Sequence, residues 1–113
     1  MYQILATKMA VDTSGEVTQA VGMSGANAVT VEVTVFSGTL VSVFLDGSND
    51  LENWTSTTAI NTANLGVGAY YLPGSATAFS APVKDIATQY VRLRFVGDTG
   101  GAVLAAGINT ASL

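Results

Sequence analysis

The sequence predicts an all-β fold, a single β-sandwich or jelly-roll-like domain over residues 1–113 with eight or nine short, mostly antiparallel strands. Apolar and polar residues alternate at a period of two along much of the chain, while helical spacing is hard to find. Short clusters of Gly, Ser, Thr, Asn and Pro interrupt these runs as turns do. A length of 113 residues allows one core and one domain. For a chain of this mass, area scaling gives a folded surface of roughly 5,800 Å².

Taken in chain order, the first strands are Tyr2 to Val11 and Val17 to Met23. Val29, Val31, Val33 and Val35 then alternate with Thr30, Glu32, Thr34 and Phe36, the pattern of a strand with one buried face. Ser37-Gly38-Thr39 is a turn signal, and Leu40 to Leu45 resumes at once, so the two runs read as a hairpin. With a three-residue loop, Phe36 opposes Leu40, and Val41, Val43 and Leu45 join the valine face. Phe36, Leu40 and Phe44 then share the other face. Further strands are expected at Trp54 to Ile60, Ala69 to Leu72, Ala76 to Ser80, Tyr90 to Val96 and Ala102 to Asn109. Asn61 to Gly68 and Pro73-Gly74 read as connections, Gly97 to Gly101 as a hairpin loop, and Pro82 to Thr88 as one short helical turn.

Composition narrows the function. Hydrophobic residues make up 49% and charged residues only 11%, under half the share of roughly 25% usual in soluble domains. A net charge of −4 argues against a nucleic-acid partner, which would be held through phosphates. With no cysteine and no histidine, thiol chemistry, thiolate metal sites and the commonest general base are excluded. The start lacks a basic region ahead of its apolar run, so no signal peptide is expected. Uncharged stretches are too polar or too short to span a bilayer, so no membrane partner is expected and synthesis is placed in the cytoplasm.

Asp46-Gly47-Ser48-Asn49-Asp50-Leu51-Glu52-Asn53-Trp54 gathers three carboxylates and invites comparison with a calcium loop. Leu51 and Thr57 stand where that loop needs a glycine and a bidentate glutamate, so Asp46 and Asp50 are read as structural residues of a turn. Trp54, the single tryptophan, is read as a mostly buried structural plug at one end of the sandwich rather than a sugar-stacking platform. Of Tyr70 and Tyr71, at most one faces the core. Arg92 and Arg94 share a strand face with Tyr90 and Val96, opposite Val91, Leu93 and Phe95. They are expected to pair with carboxylates, Glu32 being one possible partner, rather than bind an anionic ligand. No nucleophile–base pair, catalytic residue, metal site or cofactor site is expected, and the chain is read as non-enzymatic.

Two blocks, Gly47-Ser48-Asn49-Asp50 with Trp54 and Gln89-Tyr90-Val91-Arg92-Leu93-Arg94-Phe95, resemble discoidin-like β-sandwich domains. That resemblance implies a sandwich binding carbohydrate or lipid headgroups through loops at one end. The same blocks, in a short Gly/Ser/Thr/Ala/Val-rich chain, also resemble small structural proteins of tailed-phage virions. This second resemblance implies a virion protein decorating or cementing a capsid, or another head or tail component. Its partners would be further copies of itself, a major capsid protein or another virion protein, in a homo-oligomer or many-copy assembly. The alternative is a carbohydrate-binding or adhesive module. The candidate contact residues are Phe36, Leu40 and Phe44 with Thr30 and Thr34 beside them, Arg92 and Arg94, and the uncharged strand Ala102 to Asn109.

Overall fold

A computed structural model describes residues 1–72 and 83–113, and for residues 57–64 the backbone alone. The strand expected at Ala76 to Ser80 and the turn at Pro73-Gly74 lie outside the described residues. Among the described residues nine strands form: β1 (Tyr2–Val11), β2 (Glu16–Val17), β3 (Val21–Gly22), β4 (Ala28–Gly38), β5 (Val41–Ser48), β6 (Thr55–Leu65), β7 (Gly68–Leu72), β8 (Tyr90–Gly97) and β9 (Ala102–Ala111). One sheet has the order β1-β9-β4-β7; the other has the order β2-β8-β5-β6, with β3 also on β8. Every named pairing is antiparallel.

β2 and β3 are one strand interrupted at Thr18, which explains why Val17 to Met23 reads as a single run. The Thr18 N–H donates to the Leu93 carbonyl at 2.9 Å, and its hydroxyl accepts from the Leu93 N–H at 3.0 Å, so the side chain stands in for a backbone acceptor. Counted this way, eight strands wind as a jelly roll, in sheet orders 1-8-3-6 and 2-7-4-5.

That winding corrects two local expectations. β4 and β5 do not form a hairpin, because they lie in opposite sheets; the same holds for β8 and β9 around Gly97 to Gly101. Among the described residues, only β5 and β6 are both consecutive and hydrogen-bonded to each other. The valine faces of β4 and β5 still meet, but across the core rather than side by side. Val29, Val31, Val33 and Val35 from one sheet and Val41, Val43 and Leu45 from the other are all at most 1% exposed. Period-two patterning requires a buried face, and an arch over the core supplies it as well as a hairpin does. Gly38 permits the arch with φ +106°, and the Thr39 N–H donates to the Gly101 carbonyl, tying the β4–β5 and β8–β9 arches together.

Val91, Leu93 and Phe95 of β8 and Leu104, Ala106 and Ile108 of β9 join the valine faces of β4 and β5 in the core. Among the described residues Phe95 is the largest fully buried side chain. Tyr70 packs against this cluster while Tyr71 points away, opposite Glu32, so one tyrosine of the pair faces inward. The helical turn expected over Pro82 to Thr88 does not form over the described residues 83–88. Val83 instead exchanges both backbone hydrogen bonds with Val29, each 2.9 Å. β5 also runs on to Ser48, three residues beyond the expected Leu45, because Asp46 and Ser48 find partners opposite them on β8.

Candidate functional site

Burying one face of each sheet leaves two broad outer faces, and the candidate functional residues divide between them. On the β5–β8 face, side chains two residues apart line up by strand register: Phe44 lies opposite Arg94 and Asp46 opposite Arg92. Asp46 Oδ2 accepts from Arg94 Nε at 3.1 Å and from Arg92 Nε at 3.4 Å. The Arg94 guanidinium also lies 4.3 Å from the Phe44 ring centroid, and that of Arg92 lies 4.2 Å from the Trp54 ring. Trp54, Arg92, Asp46, Arg94 and Phe44 thus form a ladder in which three charges of alternating sign lie between two aromatic rings. Arg94 reaches Ser56 Oγ as well, at 3.5 Å.

Asp46 is buried, 3% exposed, beneath the two guanidiniums, and its Oδ1 has no hydrogen-bond partner. Two cations against one carboxylate leave the centre of the ladder with a positive surplus. The ladder can hold the aromatic rings in place and present guanidinium edges to an acceptor. Removing its central charge should destabilise the fold. Breaking a buried ion pair costs about 3–5 kcal/mol, but arginines 23% and 33% exposed can turn to water, so about 2 kcal/mol is expected for Asp46→Ala. Chemical denaturation measures it; a loss under about 0.5 kcal/mol would show the ladder to be ornamental to stability.

Beyond β5 the chain closes a tight turn around two side chains. Ser48 Oγ accepts from the N–H groups of Asp50 and Leu51. Asp50 Oδ1 accepts from the N–H groups of Asn53 and Glu52 at 2.8 and 2.9 Å and from the Ser48 hydroxyl, and Oδ2 accepts from Asn53 Nδ2. These bonds, the Asn53 N–H foremost, hold the Asp50 carboxyl well below the usual carboxylate range. A group lowered in this way contributes stability at neutral pH and loses that contribution as pH falls through the acid range, starting near the unfolded value of about 4. Asp50→Asn should therefore be less stable than the parent at pH 7, and the gap should narrow below pH 4. Urea titrations at several pH values check this. A gap independent of pH would mean that the carboxylate charge is irrelevant to the turn.

The carboxylates of this segment do not converge. Asp50 turns its oxygens to local backbone, Asp46 points to the ladder, and among the described residues no three His, Cys, Asp or Glu side chains come together.

The other outer face belongs to β1, β9, β4 and β7. Small residues lie at its centre: Ala105 and Gly107 of β9 lie beside Thr34 and Glu32 of β4. The Tyr2 ring lies over Gly107, where a Cβ would come within 2.5 Å of its Cζ, so a larger residue there would displace the ring. Burial first, and then the hydrogen bond and charge of Glu32, raise the Tyr2 phenol above its ordinary value. A shallow groove of about 240 Å³ runs between Tyr2, Ile4, Glu32, Thr34, Ala105 and Gly107. Ile4 is 63% exposed and Phe36 50%, an unusual display of apolar surface for strand residues.

The expected contact residues are therefore redistributed. Phe36, Thr30, Thr34 and the strand Ala102 to Asn109 come together on one face, because β9 pairs with β4. Phe44 does not join them; it lies on the opposite side of the molecule, under Arg94. Leu40 sits at the arch between the sheets, 40% exposed. The expected pairing of Arg92 and Arg94 with a carboxylate is found, but the partner is Asp46 and not Glu32, which lies in the other sheet. Trp54 is not a core plug: it is half-buried outside the sandwich, with its Nε1 donating to the Leu51 carbonyl at 3.3 Å. Sequence reasoning missed Tyr2 and Ile4 as members of a face. Alternation of Tyr2 and Ile4 with Gln3 and Leu5 was the signal, but it does not tell which alternate set is buried. At one end of the sandwich a further depression of about 470 Å³ lies between Gly22 to Ala26 and Ile86 to Tyr90, and none of these lining residues is charged.

Fold and faces together define an all-β jelly roll with a charged aromatic ladder on one side and a nearly neutral sheet on the other. No protein-family model matches the chain, and no match is found among curated proteins.

Proposed function

We propose that this chain is a non-enzymatic virion structural protein, a capsid decoration or cement subunit or another component of a phage head or tail. The observation that carries this reading is the β1-β9-β4-β7 outer face. It carries few charges, Glu32 and the edge-strand Lys8, and it displays Tyr2, Ile4 and Phe36 to solvent. Such a face is costly for a free monomer to expose and useful to a subunit held in place by its neighbours. The resemblance to small phage structural proteins supplies the kind of assembly, and the jelly roll recurs in capsid proteins, a likeness at the level of fold.

Carbohydrate binding has less to rest on. Arg92 already lies over the Trp54 ring, so the one tryptophan does not present that face to a sugar. The test is mass spectrometry of virus particles purified from the source that encodes the chain, with a glycan-binding screen of the isolated protein beside it. Many copies per particle, retained through washing, are expected. Absence from particles would overturn the reading, and a saturable glycan would favour the adhesive alternative.

A further inference from the structure

We infer that the two outer faces of the sandwich bind one another, the Glu32 face of one copy seating on the Arg92–Arg94 face of the next. The inference rests on the structural-subunit reading and names the partner of that surface as a second copy of this chain.

Charge is the first argument. Glu32 is the single charged residue of β4, β7 and β9, and it stands in the middle of its face; Lys8 is on the edge strand β1. At the centre of the opposite face two guanidiniums stand over one buried carboxylate, and Glu16 is on the edge strand β2. Seating one face on the other brings Glu32 within reach of arginine edges that Asp46 engages only through their Nε atoms. A symmetric contact would do the reverse. Two Glu32 faces brought together about a central axis oppose their carboxylates, and two ladder faces oppose four guanidiniums.

Shape and area allow this pairing. The Glu32 face carries a shallow groove beside Ala105, Gly107 and Thr34, and the ladder face exposes Val17, which lies opposite Arg94 on β2. Four strands about 4.8 Å apart and roughly eight residues long at about 3.3 Å each present roughly 500 Å² per face. Two faces together bury roughly 1,000 Å², the lower limit of a specific interface, so weak association strengthened by many copies is expected. Because the two surfaces differ, the contact is heterologous, and repeating it yields a ring or an open stack rather than a closed dimer.

Sedimentation velocity from low to high micromolar concentration, at low and high salt, tests the inference. The parent chain should show concentration-dependent sedimentation that salt weakens. Glu32→Lys should weaken association by roughly tenfold or more. Arg94→Glu should do the same, and an equimolar mixture of the two variants should associate although neither does alone. Should Arg94→Glu fail to fold, Val17→Asp probes the ladder face and Ile4→Asp the other, both at exposed positions. A parent chain that stays monomeric at low salt overturns the inference. So does association indifferent to Glu32→Lys and Ile4→Asp, or strengthened by Glu32→Lys, which would mark a symmetric dimer. A chain that is abundant in particles but monomeric in solution sinks the stacking alone; one that stacks but is absent from particles sinks the virion reading alone.

Discussion

Truncating Phe95 to alanine is expected to lower stability by about 3–5 kcal/mol, while truncating Trp54 should cost only about 1–2 kcal/mol. Phe95 is fully buried between the sheets, so its removal forfeits transfer energy and leaves a cavity that close-packed neighbours cannot collapse into. Trp54 lies outside the sandwich, and its main partners are the Arg92 guanidinium and the Leu51 carbonyl. Losing it removes a cation–π contact and some covered surface, but water can enter where the ring was. A domain of this size holds on the order of 5–15 kcal/mol in all, so the first variant approaches the limit of folding and the second does not. Urea titration of both variants measures the contrast. Equal losses would mean that the tryptophan plugs the core after all.

Gly38→Ala should cost about 3 kcal/mol or more, and Gly25→Ala only about 1–2 kcal/mol. Both glycines have positive φ, +106° and +82°. They differ in what a methyl group would meet. At Gly25 nothing lies within 4 Å. At Gly38 the added Cβ would overlap the Gly101 carbonyl oxygen and stand 2.5 Å from the Ala102 Cα, both backbone atoms of the neighbouring arch. Neither can move without disturbing β9, which the β4 register holds through ten paired residues. Thermal unfolding of the two variants separates backbone strain alone from strain plus collision. A Gly38→Ala protein as stable as Gly25→Ala would show that the arches are free to shift.

Much of the site was legible where it depends on neighbours along one strand. That Arg92 and Arg94 share a face opposite Val91, Leu93 and Phe95 follows from alternation, and so does the need of two adjacent cations for a carboxylate. Which carboxylate answers could not follow, since Glu32 and Asp46 both sit on the polar side of strands. The choice was made by the β5–β8 register, which sets Asp46 opposite Arg92 and buries it. The polar run after Leu45 misled for a related reason. Asp, Gly, Ser and Asn are turn formers in isolation, but in β5 the first three are strand residues whose partners come from β8.

By itself the sequence determined the β class, the single domain and the inward-facing side chains of β4, β5 and β8. Burial of alternate residues is a local property of a pleated strand and leaves its mark at a period of two. Only the tertiary structure decided which sheet each strand enters. A strand with one apolar face is equally satisfied beside its predecessor in a hairpin or across the core from it in an arch, so the pattern is the same for both. In this chain most of the short Gly-containing turns became arches, which separated Phe36 from Phe44 and brought Phe36 to β9. The outer faces, and with them the function proposed for the chain, are products of that choice.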